Sequence, residues 1–445
     1  MGISMNFKKV LWVIFYCLAV FFPAFIYVSD HLGSSFPFII SGVFGITAYV
    51  LFAFQFLLAS RPKIIDKQFG MDKIYRFHMY IAVAGLVLSF LHKQIKENYY
   101  QESFKTTLGD LAFNIFLGIS VLSILMMVNK LFFKTKFTDS IRGFLNKTLR
   151  VQHQYKVLVH NAVLIALCVL LVHILMSYSV KSNLLLESVL VIYFAVPLFM
   201  YLKHKIYDGF FNKNKKYTVT EVINESDNIV TLKFKHESGK SFSYLPGQYL
   251  YLRINNAEIP WDEHPFTISS SPLQEHLSIT AKKLGDFTER LDKVKVGDTA
   301  YIDGAYGTFS YLKNKQNRKL CFLAGGIGIT PFLGMLRHLS LENVDQDVVL
   351  FWGLRESRDI ICNNEIKDYS LQMKNFKFVP VLSNDSAFDG ETGYINGDII
   401  KKYIDDIREY DFYICGPPVM IESQISNLRS LGVAKENIHF ERFAM

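Results

Sequence analysis

The hydrophobic pattern changes character once along this chain. Through the first 203 residues, long apolar runs are separated by short charged stretches. After residue 214 the apolar runs become short and alternate with polar positions. Six early segments, 9–28, 37–60, 74–92, 108–129, 154–178 and 184–202, have the length a membrane-crossing helix needs, roughly 20 residues. Later stretches such as YTVTEVI and NIVTLKFKH have a period of two and are set off by Gly, Pro and Asn turns. That pattern predicts a small antiparallel barrel over residues 211–313. In residues 314–445, KLCFLAGG, DVVLFWGLR, FKFVPVLS and EYDFYICGP read as buried strands with helical stretches such as ITPFLGMLRHLS between them. Strands alternating with helices predict a parallel α/β sheet. The predicted architecture is a multi-domain membrane protein: a six-helix transmembrane bundle (1–210), a β-barrel (211–313) and an α/β domain (314–445).

Charge refines this picture. The net charge of +8 has the sign of a nucleic-acid binder, but the Lys and Arg residues gather at the ends of apolar segments, and no basic stripe is interleaved with aromatics. Nucleic acid is not an expected partner; the lipid bilayer is. Thirteen basic residues, from Lys8 to Arg150, fall on one side of the bundle, and four (Lys93, Lys96, Lys105 and Lys181) on the other. By the positive-inside rule the N-terminus is cytoplasmic, and six crossings return the chain to the cytoplasm. The protein is thus expected in the plasma membrane, with both termini and everything after Lys203 in the cytosol. Lys8 and Lys9 precede the first run as in a signal peptide, but no small-residue cleavage site follows, so this segment reads as a retained helix. The five cysteines (17, 168, 321, 362 and 415) are scattered and form no CxxC, which argues against a disulfide framework or a cysteine-held zinc or iron–sulfur centre. The spans also lack the arginine ladder of a voltage sensor.

The third segment contains His78 and His92, and the fifth contains His160 and His173. Histidine in a lipid-embedded helix is costly and usually marks function. Both helices run in the same direction, so His78 and His160 share one depth and His92 and His173 another. The pairs are separated by 14 and 13 residues, rises of about 21 and 19.5 Å. A haem held between two helices needs one imidazole from each at the same level, and two stacked haems need two levels. A spacing of 14 returns to within about 40° of the same face, whereas 13 misses by about 140°. The fifth helix must therefore tilt, bulge or present its rings from different sides.

The cytosolic half carries motifs suited to nucleotides. In HPFTISSSP (264–272), Phe266 can stack on a flavin ring and Thr267 can hydrogen-bond it. LGDFTERL (284–291) offers backbone amides after Gly285 and the hydroxyl of Thr288 for a pyrophosphate, with Phe287 between them as a further cofactor-binding candidate and Lys282 and Lys283 just upstream. In LAGGIGITPF (323–332) a strand runs through Gly325, Gly326 and Gly328 into a helix beginning at Thr330 and Pro331, a setting for a pyrophosphate at a positive helix end. Cys415 and Gly416 follow another strand, at the carboxyl edge where α/β sheets bind ligands. Arg355 and Arg358 suit an adenosine 2′-phosphate, and each is equally at home as solvated surface.

Together the six helices, the paired histidines in the third and fifth, and HPFT, GGIGITP and CGPP resemble the NADPH oxidase and ferric reductase superfamily, and most closely its compact bacterial NADPH oxidases. The resemblance covers nearly the whole chain. It implies FAD- and NAD(P)H-binding domains of ferredoxin-NADP reductase type and two b-type haems, with His78 and His160 on the inner haem and His92 and His173 on the outer. It assigns His264, Pro265, Phe266 and Thr267 to FAD, Gly325, Gly326, Gly328, Thr330 and Pro331 to NADPH or NADH, and Cys415, Gly416 and Pro417 to the nicotinamide. Phe443 matches an aromatic that stacks on the flavin, although here Ala444 and Met445 follow it. Phe266, Thr267, Cys415 and Phe443 are thus the residues expected at the reacting rings. The implied activity is transfer of electrons from cytosolic NADPH to oxygen outside, giving superoxide, or in the alternative to a ferric chelate. With no EF-hand loop or proline-rich segment, no obligatory protein partner is expected.

Overall fold

Uncharged apolar runs satisfy their backbone by coiling on themselves, and the described residues up to Phe211 form helices joined by short turns. The structure, a computed structural model, describes residues 7–97, 103–127, 153–212, 215–239, 241–313, 318–343, 345–385 and 387–442. The chain divides into two units between Phe211 and Asn212.

In the first unit, α1 (Phe7–Asp30), α2 (Phe36–Ala59), a short α3 (Lys63–Phe69), α4 (Met71–Glu97) and α5 (Phe104–Met127) are followed by α6 (His153–Asn161), α7 (Val163–Leu175), the single turn α8 (Tyr178–Lys181) and α9 (Leu184–Leu202). Six stretches among the described residues are long and apolar enough to cross a membrane. Their outward faces are apolar as well: Phe15, Leu18, Phe22 and Phe25 of α1, Ile165 of α7 and Phe199 of α9 are all exposed. Water does not tolerate so continuous an apolar surface, whereas lipid does. The buried side centres on α2, where Tyr49, Val50, Phe52 and Ala53 pack with Ala166, Leu167, Leu186 and Leu190. Two hydroxyls in this core find carbonyls: Tyr49 donates to Leu190 O at 2.8 Å and Tyr193 to Ala19 O at 3.0 Å.

The fifth apolar segment is two helices, α6 and α7, broken at Ala162. The Ala162 N–H bonds Val159 O at 3.1 Å, and the Ile165 N–H bonds Ala162 O at 3.0 Å. These i→i−3 bonds wind the chain more tightly than the α-helix on either side. The break falls between His160 and His173, inside the 13-residue spacing that a continuous helix would point to different faces.

In the second unit, β1 (Lys216–Ser226), β2 (Ile229–His236), β3 (Tyr249–Asn255), β4 (His264–Thr267), β5 (Leu277–Lys282) and β6 (Thr299–Tyr306) form an antiparallel sheet in the order β4-β3-β6-β1-β2-β5. A bridge from Ile268, just past β4, to Ile279 on β5 joins the two end strands and closes the barrel. Its core includes Val219, Val230, Leu232, Leu252 and Ile279. The chain then forms β7 (Lys319–Gly325), α10 (Thr330–Glu342), β8 (Val348–Leu354), α11 (Asn363–Gln372), β9 (Phe376–Leu382), β10 (Glu391–Thr392), α12 (Gly397–Tyr403), β11 (Tyr410–Cys415), α13 (Pro418–Ser430) and β12 (Ile438–Glu441). All neighbours in this second sheet, ordered β10-β9-β8-β7-β11-β12, are parallel. Its central strands are buried along nearly their whole length, as sheets covered on both faces require.

Candidate functional site

Two constellations stand out, one in each unit. In the helical unit the histidines meet as two pairs. The rings of His78 and His160 have centroids 6.1 Å apart at 55°, and those of His92 and His173 lie 6.4 Å apart at 84°. One metal ion bonded to two opposed imidazole nitrogens at about 2.0–2.1 Å would space the ring centres at about 6.3 Å. Three of the four rings are anchored through Nδ1. His92 Nδ1 lies 2.7 Å from Ser41 O, His173 Nδ1 2.7 Å from Lys105 O and His160 Nδ1 2.9 Å from Ser123 Oγ. At His92 and His173 the partner is a carbonyl, which only accepts, so Nδ1 carries the proton and Nε2 is left as the ligating atom, the usual arrangement behind a metal-bound histidine; the Ser123 hydroxyl can pair with His160 Nδ1 as donor or acceptor.

Glycines make room for two of these rings. A Cβ at Gly45 of α2 would lie 2.8 Å from His92 Nδ1, and one at Gly109 of α5 would lie 2.7 Å from His173 Cε1. Midway between the pairs along α4, at Gly85, Phe52 and Phe116 stack at 4.1 Å and 9°, and Phe52 closes over the glycine. The described residues contain no group of three or more His, Cys, Asp or Glu able to hold a metal. Two imidazoles leave a bare transition metal short of ligands, whereas a haem supplies the remaining four. The donor set therefore fits haem and not a bare ion. Ser41, Gly45, Gly109 and Ser123 escaped the sequence reading. Their only signal is a small or hydroxyl residue at a helical spacing within an apolar run.

In the second unit, His264, Pro265, Phe266 and Thr267 are β4 itself, at the sheet edge, where a proline costs no ladder bond. Thr267 is buried, and its Oγ1 has no hydrogen-bond partner among the described residues. A buried hydroxyl without a partner costs free energy unless a ligand supplies one, which fits a flavin against this strand. Phe287 is buried beneath β4, with centroids 4.3 Å from His264 and 5.9 Å from Phe266. It supports those rings from within the barrel core. The Thr288 hydroxyl is occupied by its own loop, accepting from Leu284 N–H at 2.9 Å and Gly285 N–H at 3.1 Å. Lys282 ends β5, while Lys283 pairs with Asp292 at 3.3 Å.

The glycine loop continues β7 as a 3₁₀ turn (Gly326–Ile329) into α10, with Pro331 in the first helical turn. The Thr330 hydroxyl donates to Ile327 O at 3.2 Å. This loop lies against CGPP. A Cβ at Gly328 would lie 2.3 Å from Cys415 O, and one at Gly325 would lie 2.9 Å from Pro417 Cδ. Cys415 ends β11 fully buried, and burial, with Glu441 adding to it, pushes its thiol pKa well above the usual value. It is thus a neutral packing surface at the strand end, not a nucleophile. Glu441, paired with Cys415 across β11 and β12, also lies beside Gly307 at the end of β6 and was not singled out from sequence. Arg355 is exposed just past β8, and Arg358 is held by Glu356 at 2.7 Å. Phe443 lies outside the described residues.

Residues 213–319 match the FAD-binding domain family and residues 322–425 the oxidoreductase NAD-binding domain family. The electron transfer component of toluate 1,2-dioxygenase from Pseudomonas putida is 30% identical over 232 residues, 51% of this chain and 66% of that protein. The reductase component of propane 2-monooxygenase from Rhodococcus jostii is 29% identical over 234 residues, 51% of this chain and 62% of that protein. The chain spans just under two thirds of the length of these relatives. Among solved structures, the FAD/NAD-binding domain of a Vibrio cholerae nitric oxide dioxygenase superposes with a TM-score of 0.47 at 23% identity, over 52% of this chain and 98% of that one. The second unit thus contains an FAD-binding domain and an oxidoreductase NAD-binding domain.

Proposed function

We propose that this protein moves electrons from cytosolic NADPH across the plasma membrane to molecular oxygen, releasing superoxide outside. The observation that carries the reading is the pair of histidine pairs, each spaced for one metal between two imidazoles and backed by Nδ1 anchors. When bound, FAD would accept a hydride and release its electrons singly, and b-type haems would relay them one at a time.

The chain's own residues do the positioning. Gly325, Gly326, Gly328 and the start of α10 present backbone to the nucleotide pyrophosphate. The edge strand His264–Thr267 presents its aromatic and its unpartnered hydroxyl to the flavin. The Ser41 and Lys105 carbonyls hold His92 and His173 in the ligating tautomer, the Ser123 hydroxyl anchors His160, and the Phe52–Phe116 stack packs between the two levels. His92 and His173 together would hold the outer group and keep oxygen from bonding to it directly.

The test uses detergent-purified protein with FAD and NADPH in air, following cytochrome c reduction with and without superoxide dismutase. Inhibition by the dismutase is the expected result. Reduction that ignores the dismutase contradicts the superoxide product and favours a ferric chelate as the acceptor.

A further inference from the structure

A closed ring of polar contacts joins the barrel to the α/β domain, and no step in the proposed electron path uses it. It starts at Arg337, on α10, and ends there. The Arg337 Nη1 donates to Ser269 O at 2.6 Å, and its Nη2 lies 3.9 Å from Cys362 Sγ. Cys362 in turn points at Glu225 Oε2 of β1, 3.7 Å away. Glu225 Oε1 accepts from the Thr231 hydroxyl of β2 at 2.8 Å. The hydroxyls of Thr280 (β5) and Ser269 follow at 2.8 and 3.1 Å, and Ser269 is where the ring began. Thr231, Thr280 and Ser269 are all buried.

The guanidinium is held flat by a second set of bonds. Nε and Nη2 each meet an oxygen of Glu365 on α11 at 2.7 Å, and Glu365 also accepts from Tyr369. Although burial works against its charge, Arg337 stays firmly protonated through these bonds. Burial first, then Glu225, pushes the Cys362 thiol up to about 12, so the sulfur is a neutral link and not a redox centre. Cys362 adopts a φ of 50°, uncommon for a residue with a side chain, which shows that its place is enforced. One turn before Arg337, Gly334 lies so close to the barrel that a Cβ would stand 2.9 Å from Ile268 O.

The ends of this clamp are informative. Arg337 sits on the helix that begins at the nucleotide loop, and Ser269 lies two residues beyond Thr267 on the strand expected to face the flavin. We propose that Arg337 is a positioning residue that sets the distance between nicotinamide and flavin by locking α10 onto the Ser269 carbonyl. This rests on the FAD and NAD(P)H reading of the second unit. The step it governs is hydride transfer, in which the nucleotide is oxidised and the flavin reduced by two electrons. That step is sensitive to sub-ångström displacement, and the clamp acts on its geometry without touching either ring.

The experiment mixes the full-length protein, loaded with FAD, with NADPH under anaerobic stopped flow and follows the flavin absorbance. R337Q is expected to lower the limiting rate about 100-fold, as a small misplacement remote from the chemistry does. FAD content and the NADPH concentration for half-saturation should stay near wild type, the split that separates positioning from binding. R337K keeps the charge but lacks the planar fork, and should not restore the rate. T231V and C362A break the ring without removing a charge; they should show the same split at smaller size, and they decide the matter if R337Q does not fold. Wild-type limiting rates in the folded variants, or losses that only track lost FAD, overturn the proposal. A wild-type protein whose flavin is not reduced by NADPH overturns instead the underlying reading of the domain.

Discussion

Single side chains shape the proposed haem levels as much as the histidines do. Gly45 and Gly109 are the sharpest case, because any Cβ there meets an imidazole below 3.0 Å. G45A and G109A should each displace a ring at the same pair, at an overpacking cost of about 1–3 kcal/mol, and lower the haem bound there. G118A, where a Cβ meets nothing within 4 Å, should bind haem as wild type does. Haem content per chain and the reduced-minus-oxidised spectrum check both outcomes. The four histidines were legible in sequence because an ionisable residue in an apolar run is rare. Their supports were not, because Ser41, Ser123 and the two glycines look like ordinary small helix residues until the facing ring is placed. Arg337 was equally hidden: its partners Ser269, Cys362 and Glu365 are brought to it by tertiary folding alone.

At the scale of elements, periodicity located the spans and the strands but not the interruption at Ala162. No proline or glycine marks that break, so nothing local announces it, and only the 13-residue spacing of His160 and His173 signalled that a regular helix would not serve. In the second unit, the change from short alternating runs to buried strands with helices between them marked where the barrel gives way to the parallel sheet. The LGDFTERL loop shows the limit of motif reading, since Thr288 bonds its own loop and Phe287 supports β4 from beneath. The glycine loop gives a direct prediction. A Cβ at Gly328 would lie 2.3 Å from a backbone oxygen that cannot swing away, so G328A must part the nucleotide loop from CGPP. The NADPH concentration for half-saturation should rise at least about tenfold, equivalent to 1.4 kcal/mol, with FAD content unchanged. A titration of flavin reduction against NADPH reads both.

The whole molecule combines a unit of FAD- and NAD-binding domains with a helical unit that presents two histidine pairs, each spaced for one metal. Charge asymmetry and hydropathy gave the expected orientation, and the flavin and nucleotide motifs named the donor side. The acceptor side is the least legible, because electron acceptors leave no sequence motif comparable to a glycine loop. The central claim is that the histidine pairs hold two haems in series with the flavin. It is tested most directly by measuring haem per chain in purified wild type, H78A and H92A, and then adding NADPH without air. The account predicts two haems in the wild type, both reduced by NADPH. Each variant should keep one haem, and in H92A that remaining haem should still be reduced. A colourless wild type, or variants that retain both haems, would contradict it.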